Sequence, residues 1–270
     1  MPELPEVETV KNTLKKLVLN KKIIDINIRY NNIIEYPSIY EFKKQIINQT
    51  INDIKRRGKW LIFELDNYYL LSHLRMEGKY IIRNLNDFYD RHEHVEFIFS
   101  DNTCLRYKDV RKFGKMHLIK KDELYLRKPL NELGLEPWDK ELNIEYLKSK
   151  YNKKEIKTVL LDQSIIVGIG NIYADEILFL SKINPLKKAN ELSDIELENI
   201  IKYTKEVLDK AILLGGTTIK SYESSEGVHG RFQNELLVHN NKDNCPNCNI
   251  KIEKIRIGGR GTYYCPKCQK

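Results

Sequence analysis

Residues at the two ends of the chain have the types and spacing to do chemistry. The first group is Met1-Pro2-Glu3-Leu4-Pro5-Glu6. Removal of Met1, usual ahead of a small residue, would leave Pro2 as a free secondary amine. An α-amino group titrates near 8, against about 10.4 for lysine, so part of it is unprotonated and nucleophilic at neutral pH. A helix N-terminus close by would lower that pKa further by disfavouring added positive charge. Attack on an aldehyde-like carbon would give an iminium, with Glu3 and Glu6 near enough to move protons. Proline and glutamate are also ordinary helix-start residues, and the residues alone leave that plainer reading open.

The second group is Cys245-x-x-Cys248 and Cys265-x-x-Cys268, two knuckles separated by 16 residues. Such knuckles present four thiolates to a tetrahedral zinc ion, and four protein ligands leave no open position for water, so the expected ion is structural. Two redox dithiols, or simply buried cysteines, are the alternatives. Four of the five cysteines lie in the last 26 residues, whereas a secreted disulfide protein would spread them. The fifth, Cys104, is expected to be a buried apolar residue. Lys251, Lys254, Arg256, Arg260 and Lys267 surround the knuckles, and Gly258-Gly259-Arg260-Gly261 reads as a tight turn that pushes Arg260 outward. Arg260 is then either a solvated hairpin arginine or a contact to phosphate or an active site.

The bulk properties bound the setting. The 270 residues, 41% hydrophobic, suggest two domains and a small module. A formal charge of +8 fits a polyanionic partner, and it fits plain solubility equally well. Four thiolates with one zinc ion would reduce it to roughly +6. No apolar stretch approaches the roughly 18 residues of a membrane span, and no basic-then-apolar signal opens the chain, so a soluble intracellular protein is expected.

These residues need elements to position them. Glu3 to Asn20 reads as a helix, with Val7, Val10, Leu14 and Leu17 at helical spacing. From about Ile23 to Ile119 short apolar runs separated by polar turns indicate strands, with Ile24, Ile26 and Ile28 alternating against polar neighbours. A helix around Ser38 to Ile47 interrupts them, and the whole suggests a sandwich or barrel. Leu130, Gly134 and Pro137 mark a hinge, after which Ile144 to Leu214 turns helical. Ser193-Asp194-Ile195-Glu196 is a capping box opening a long helix, which Gly215-Gly216 closes. Residues 217–235, with few apolar side chains and several Gly and Ser, read as a mobile loop.

Longer motifs carry a resemblance. MPELPEVET at 1–9, RRGKWLIFEL at 56–65, HLRMEGKY at 73–80, RHEHVEF at 91–97 and LRYKDVRKFGKM at 105–116 resemble the formamidopyrimidine-DNA glycosylase family. LDQSIIVGIGNIYADEILF at 161–179, GGTTIKSY at 215–222 and EKIRIGGRGTYYCPKCQK at 253–270 continue it, in family order over nearly the whole chain. The resemblance implies an α+β multidomain fold. An N-terminal β-sandwich with flanking helices would occupy 1–133, a helix–two-turn–helix domain 134–222, and a four-cysteine zinc finger 223–270, with a lid loop at about 217–235.

The same resemblance implies a bacterial base-excision-repair enzyme, a bifunctional glycosylase and abasic-site lyase acting on formamidopyrimidines and 8-oxoguanine in damaged double-stranded DNA. Pro2 would attack C1′ of the damaged nucleotide, and Glu3 would exchange protons at the sugar with Glu6 in support. Lys59 would serve β-elimination and Arg260 phosphate binding and δ-elimination. A flipped base leaves a hole; Met76, Arg111 and Phe113 fall on the family's wedge positions, where apolar side chains replace lost stacking and arginine meets the orphaned base. Core packing is the alternative for Met76 and Phe113, but their neighbours Arg75, Glu77, Arg111 and Lys112 favour exposed loops. His92, Lys157 and Asn171 match phosphate contacts, and Lys153 and Lys154 sit where the family carries further basic DNA contacts. One structural zinc ion, a monomer, no membrane partner and a cytoplasmic, nucleoid-associated location are expected.

The chain departs from the family at His229-Gly230-Arg231-Phe232, where an aromatic often stands in the lid, so base-recognition contacts do not transfer. Lys112 stands where many members have arginine, which keeps the charge and loses the planar fork. Two rivals differ in kind. Endonuclease VIII, the sister family for oxidised pyrimidines, usually has glycine where this chain has Leu4. A zinc-ribbon DNA-binding protein without catalysis gives no reason for a Pro2-Glu3 start.

Overall fold

A computed structural model describes residues 1–217, 230–240 and 243–270. The first helix, α1 (Leu4–Val18), forms where the periodicity predicts it. Val7, Val10, Leu14 and Val18 are its buried stripe, while Leu17 stays half-buried at the stripe's edge. The contacts divide the chain into two compact units. Met1–Pro2 and Glu6–Asn131 belong to the first, and Glu3–Pro5, Glu132–Thr217 and Gly230–Lys270 to the second.

Among the described residues, nine strands build the first unit: β1 (Ile23–Ile28), β2 (Ile34–Tyr36), β3 (Asp53–Arg57), β4 (Trp60–Glu64), β5 (Tyr68–His73), β6 (Lys79–Asn84), β7 (Glu93–Phe99), β8 (Thr103–Lys108) and β9 (Lys115–Lys120). They form a four-stranded sheet in the order β1-β7-β8-β6 and a five-stranded sheet in the order β2-β9-β5-β4-β3. Ile26, Phe97, Leu105 and Tyr107 of one sheet share a core with Ile54, Phe63, Leu70 and Leu118 of the other, which makes the unit a sandwich. Helix α2 (Ile39–Ile46), capped by Ser38, buries Phe42 and Ile46 in the same core. The alternation predicted for Ile24, Ile26 and Ile28 breaks at its start. A bulge between Ile23 and Asp25 turns Ile24 out, 45% exposed, and brings Ile23 inside. Cys104 is fully buried, as expected.

The second unit is helical at its centre. Helices α3 (Ile144–Lys150), α4 (Ile156–Leu160), α5 (Asn171–Leu180) and α6 (Asp194–Leu213) surround a core of Ile156, Ile166, Tyr173, Ile177, Leu197 and Leu208, which Leu4 joins. Turns through 161–170 join α4 to α5. The Ser193–Glu196 capping box is formed. At the far end of α6, Gly215 N–H donates to Ile212 and Gly216 N–H to Ala211, the paired bonds of a Schellman stop. Of the segment expected to be a mobile lid, residues 218–229 lie outside the described chain. The stretch that follows is anchored, with Phe232 buried against Tyr173 at 5.4 Å between ring centres. A hairpin of β10 (Glu253–Ile257) and β11 (Arg260–Tyr264) completes the unit beside the four cysteines. Among the described residues, no helix is long and apolar enough to cross a membrane.

Candidate active site

Glu3 is 1% exposed and sits at the N-terminus of α5. Its Oε1 accepts from Ile172 N–H at 3.0 Å, and its Oε2 faces Tyr173 N–H at 3.5 Å. The first turn of a helix has orphan N–H groups, and the residue ahead of this one is glycine, which has no side chain to cap it. Glu3 supplies the missing acceptor from a position 169 residues before Ile172. The glycine is also required for space: a Cβ on Gly170 would stand 2.3–2.6 Å from the carboxyl atoms of Glu3. Leu4 N–H donates to Gly168 O at 3.1 Å, so the backbone after Glu3 is tied to the same loop. Pro2, directly before Glu3, is buried, while Met1 is 38% exposed.

The same helix grips the β10–β11 hairpin. Asp175, 1% exposed, accepts from Lys157 Nζ at 2.6 Å, pairs with His239 Nδ1 at 2.7 Å and accepts from Tyr263 N–H at 3.2 Å. Lys157 Nζ and Asn171 Nδ2 both donate to the Gly261 carbonyl, at 3.2 and 2.9 Å. Glu176 accepts from Leu237, Val238 and His239 N–H at 2.8, 3.0 and 2.8 Å, and burial raises its carboxyl above the usual range. The loop of the hairpin is Gly258-Gly259, both at positive φ (53° and 78°), the conformation a tight primed turn demands. Arg260 is the next residue and is exposed, as the glycine pattern predicts.

This network engages two of the residues expected to meet phosphates, Lys157 and Asn171. Lys157 does not offer its ammonium to solvent: it is fully buried and committed to Asp175 and Gly261, and burial depresses its pKa. Its ammonium ties α4 to Asp175 and to the hairpin carbonyl of Gly261. Asn171 likewise spends its amide N–H on Gly261. Lys153 is exposed on the segment before α4. Asp175 and Glu176 are buried acids that the sequence reading missed and that hold the hairpin and the 237–239 backbone in place. The signal for them is two acids inside the otherwise apolar run Asn171–Leu180, which must find buried partners.

In the first unit Lys59 is the second residue of the two-residue turn between β3 and β4. It is 7% exposed, which removes the alternative of a strand-edge surface lysine. Glu6 is buried on α1. Trp60 pairs with His73 across the sheet and meets its ring edge-on at 4.8 Å. His73 Nδ1 accepts from Arg75 N–H at 2.9 Å, which requires a neutral ring with its proton on Nε2. Burial, then the charges of Arg75 and Lys59, push the His73 pKa down to about 3. Burial likewise lowers His117 to about 4.

These two histidines make the fold sensitive to acid. Below the unfolded value of 6.5 the unfolded chain binds protons that the folded chain refuses until about pH 4 and 3, so unfolding becomes easier as pH falls through that window. Each histidine contributes up to about 1.4 kcal/mol per pH unit. Urea midpoints between pH 7 and 4.5 should drop steeply in the wild type and less in His73→Gln and His117→Gln variants. Equal slopes in all three would show that other groups govern acid lability.

The wedge candidates occupy two loops of the first unit. Met76, half-buried, lies between β5 and β6; Arg111 and Phe113 lie between β8 and β9. Phe113 is 48% exposed, with the Arg111 guanidinium 4.8 Å from its ring centre, so it is not a core residue. His92 is half-buried ahead of β7, where its N–H donates to Asp90.

The cysteines converge in the second unit. The four Sγ atoms lie within 4.8 Å of one another, with Cys245–Cys268 at 3.8 Å and Cys248–Cys265 at 3.4 Å. A tetrahedral ion with bonds of about 2.3 Å to sulfur needs sulfur–sulfur edges of about 3.8 Å, so the donor set fits a structural metal ion.

Known proteins are similar to this chain in sequence and in fold. Residues 1–116 match the formamidopyrimidine-DNA glycosylase N-terminal domain, 133–223 its H2TH domain, and 243–270 the zinc finger found in FPG and IleRS. The chain belongs to the formamidopyrimidine-DNA glycosylase family. The family member of that name from Oceanobacillus iheyensis is 49% identical over 100% of this chain and 98% of its own, and that from Bacillus subtilis is 48% identical over 100% and 99%. Among solved members, a Lactococcus lactis FPG mutant bound to DNA containing Fapy-dG superposes with a TM-score of 0.93 at 40% identity over the whole of both chains. The Lactococcus lactis Fpg bound to DNA with an abasic site superposes at 0.91, with 41% identity over 99% of each.

Proposed function

We infer that this chain is a DNA glycosylase of base excision repair that removes oxidised purines, formamidopyrimidines and 8-oxoguanine, and cleaves the resulting abasic site. One observation carries the chemistry. The residue after Pro2 is a carboxylate locked on the first turn of α5, its two oxygens directed at Ile172 and Tyr173 N–H.

The Pro2 nitrogen, freed by loss of Met1, forms a bond to C1′ as the bond from C1′ to the base breaks and the base leaves with the electron pair and a proton. Glu3 donates and accepts protons at the sugar, so that the ring opens to an iminium between Pro2 and C1′. Loss of a C2′ proton expels the 3′ phosphate by β-elimination, with Lys59 as its assigned base. A second elimination expels the 5′ phosphate, with Arg260 holding it, and water then releases Pro2. Met76, Arg111 and Phe113 fill the vacated stack. His92 and Lys153 meet phosphates, while Lys157 and Asn171 act by fixing the hairpin that carries Arg260. Glu6 supports Glu3.

Zinc is the ion we assign to the cysteines, because four thiolates in a tetrahedron suit it and it brings no redox chemistry. The finger it organises would hold Arg260 in place. The division at 1–133, 134–222 and 223–270, a monomer on duplex DNA, and a cytoplasmic location at the nucleoid complete the proposal.

Borohydride trapping on duplex DNA with 8-oxoguanine tests it. A covalent adduct mapped to Pro2 and lost in Pro2→Gly is the expected result. An adduct on oxidised pyrimidine alone would move the chain to the sister specificity, and tight binding with no adduct on any lesion would leave a binding protein.

A further inference from the structure

Two loops that carry the wedge side chains rest on one phenol. Tyr107 is fully buried at the end of β8. Gly78 closes the Met76 loop, its N–H donating to Leu74 O at 2.9 Å, and Gly114 closes the Arg111–Phe113 loop ahead of β9. Both glycines stand against the same hydroxyl. A methyl group on Gly78 would lie 2.2 Å from the Tyr107 oxygen, and one on Gly114 would lie 1.7 Å from it. The hydroxyl therefore fills the space between the two loops, which no side chain on either glycine could share.

Asp109 finishes the arrangement. It is fully buried, and its carboxylate accepts from Arg111 N–H at 3.0 Å and Gly114 N–H at 2.8 Å, with the Tyr107 hydroxyl at 3.4 Å. Its backbone is held as well, with N–H to His92 O at 3.0 Å and its carbonyl 2.8 Å from His94 Nε2. Each loop also contains a non-glycine residue in the left-handed region, Arg75 at φ 54° and Lys112 at φ 58°. Such conformations persist only where the surroundings over-determine them.

We propose that Tyr107 and Asp109 are positioning residues that hold the Met76 loop and the Arg111–Phe113 loop in one fixed relation, so that the wedge enters duplex DNA as a unit. The proposal rests on the wedge reading of Met76, Arg111 and Phe113. Its test requires only that the hydroxyl be removed while the ring stays, which Tyr107→Phe does.

The readout is the ratio of abasic-site cleavage in duplex to that in single-stranded DNA. A duplex has a hole to fill, whereas a single strand has none, so loss of the wedge lowers the ratio, and a general loss of folded enzyme lowers both rates together. Tyr107→Phe and Phe113→Ala should each lower the ratio about tenfold, and the double variant should fall no further than Phe113→Ala alone, because coupled residues are not additive. A ratio unchanged in Tyr107→Phe but lowered in Phe113→Ala would overturn the positioning role and leave the wedge reading standing. A ratio unchanged in Phe113→Ala would overturn the wedge reading, and this inference with it. Full additivity in the double variant would also overturn it. Asp109→Asn, which loses a carboxylate acceptor but keeps the residue's size, should repeat the Tyr107→Phe result.

Discussion

Glu3→Gln is expected to lower the single-turnover rate of base excision by roughly 10² to 10⁴, the range general acid–base groups supply, while binding to lesion DNA stays within about threefold. The amide keeps the size of the carboxylate, which matters where Gly170 leaves no room for even a methyl group. One of its two oxygens becomes an NH2, which cannot accept from Ile172 or Tyr173 N–H and cannot carry a proton to or from the sugar. Gly170→Ala separates place from chemistry. It leaves the carboxylate intact and pushes it off the helix N-terminus, since its Cβ would stand 2.3 Å from the Glu3 carboxyl carbon. Excision should fall in both variants. If Glu3→Gln retains excision within about threefold, Glu3 is not the proton carrier; if Gly170→Ala retains it, the geometry on α5 is not needed. Stopped-flow or quenched single-turnover assays with a fluorescent lesion duplex distinguish these.

Loss of the metal is expected to have the second large effect. The finger's own core is small, with Val238, Cys245, Ile252 and Cys265 packed on Phe179, too little apolar area to order a hairpin alone. Zinc binding to such a module supplies on the order of 10 kcal/mol of folding free energy. Cys265→Ser, or chelation, should therefore release one ion per chain and unfold β10–β11. The damage should spread inward, because Lys157, Asn171 and Asp175 all hold that hairpin. Removing it strips the Lys157–Asp175 pair of Gly261 and Tyr263, and breaking a buried charge network is costly. DNA affinity should fall at least about a hundredfold, with hydrogen exchange accelerated through 251–264 and on the second half of α5. Undiminished affinity after stoichiometric metal release would show that the finger folds without an ion.

The cysteine spacing pointed to a four-thiolate cluster ahead of two separate dithiols, because each knuckle presents two thiolates to one ion, and the four sulfurs do meet. The helical periodicity of α1, the capping box of α6 and the glycine turn before Arg260 were legible for a related reason: each is set by local steric and hydrogen-bonding rules within a few residues. The bulge that turns Ile24 outward was not legible, because it depends on how β1 pairs with β7, a strand about 70 residues later.

Charge was harder to read. Lys157 looks in sequence like one more basic residue for a phosphate, yet it is buried against Asp175. Whether an ammonium faces solvent or an acid is decided by long-range packing, which no local rule reports. Glu3 shows both limits at once. Its place beside Pro2 belongs to the chain alone. Its capping of a helix that starts at Asn171, through a glycine that admits no side chain, exists only once tertiary folding brings those backbones together, with a 3.0 Å bond to Ile172 N–H. Local patterns thus grouped the four cysteines and set Pro2 beside Glu3, whereas the tertiary structure decided which charges are held inside and where the Glu3 carboxylate points, because burial and hydrogen-bond direction arise between segments distant in sequence.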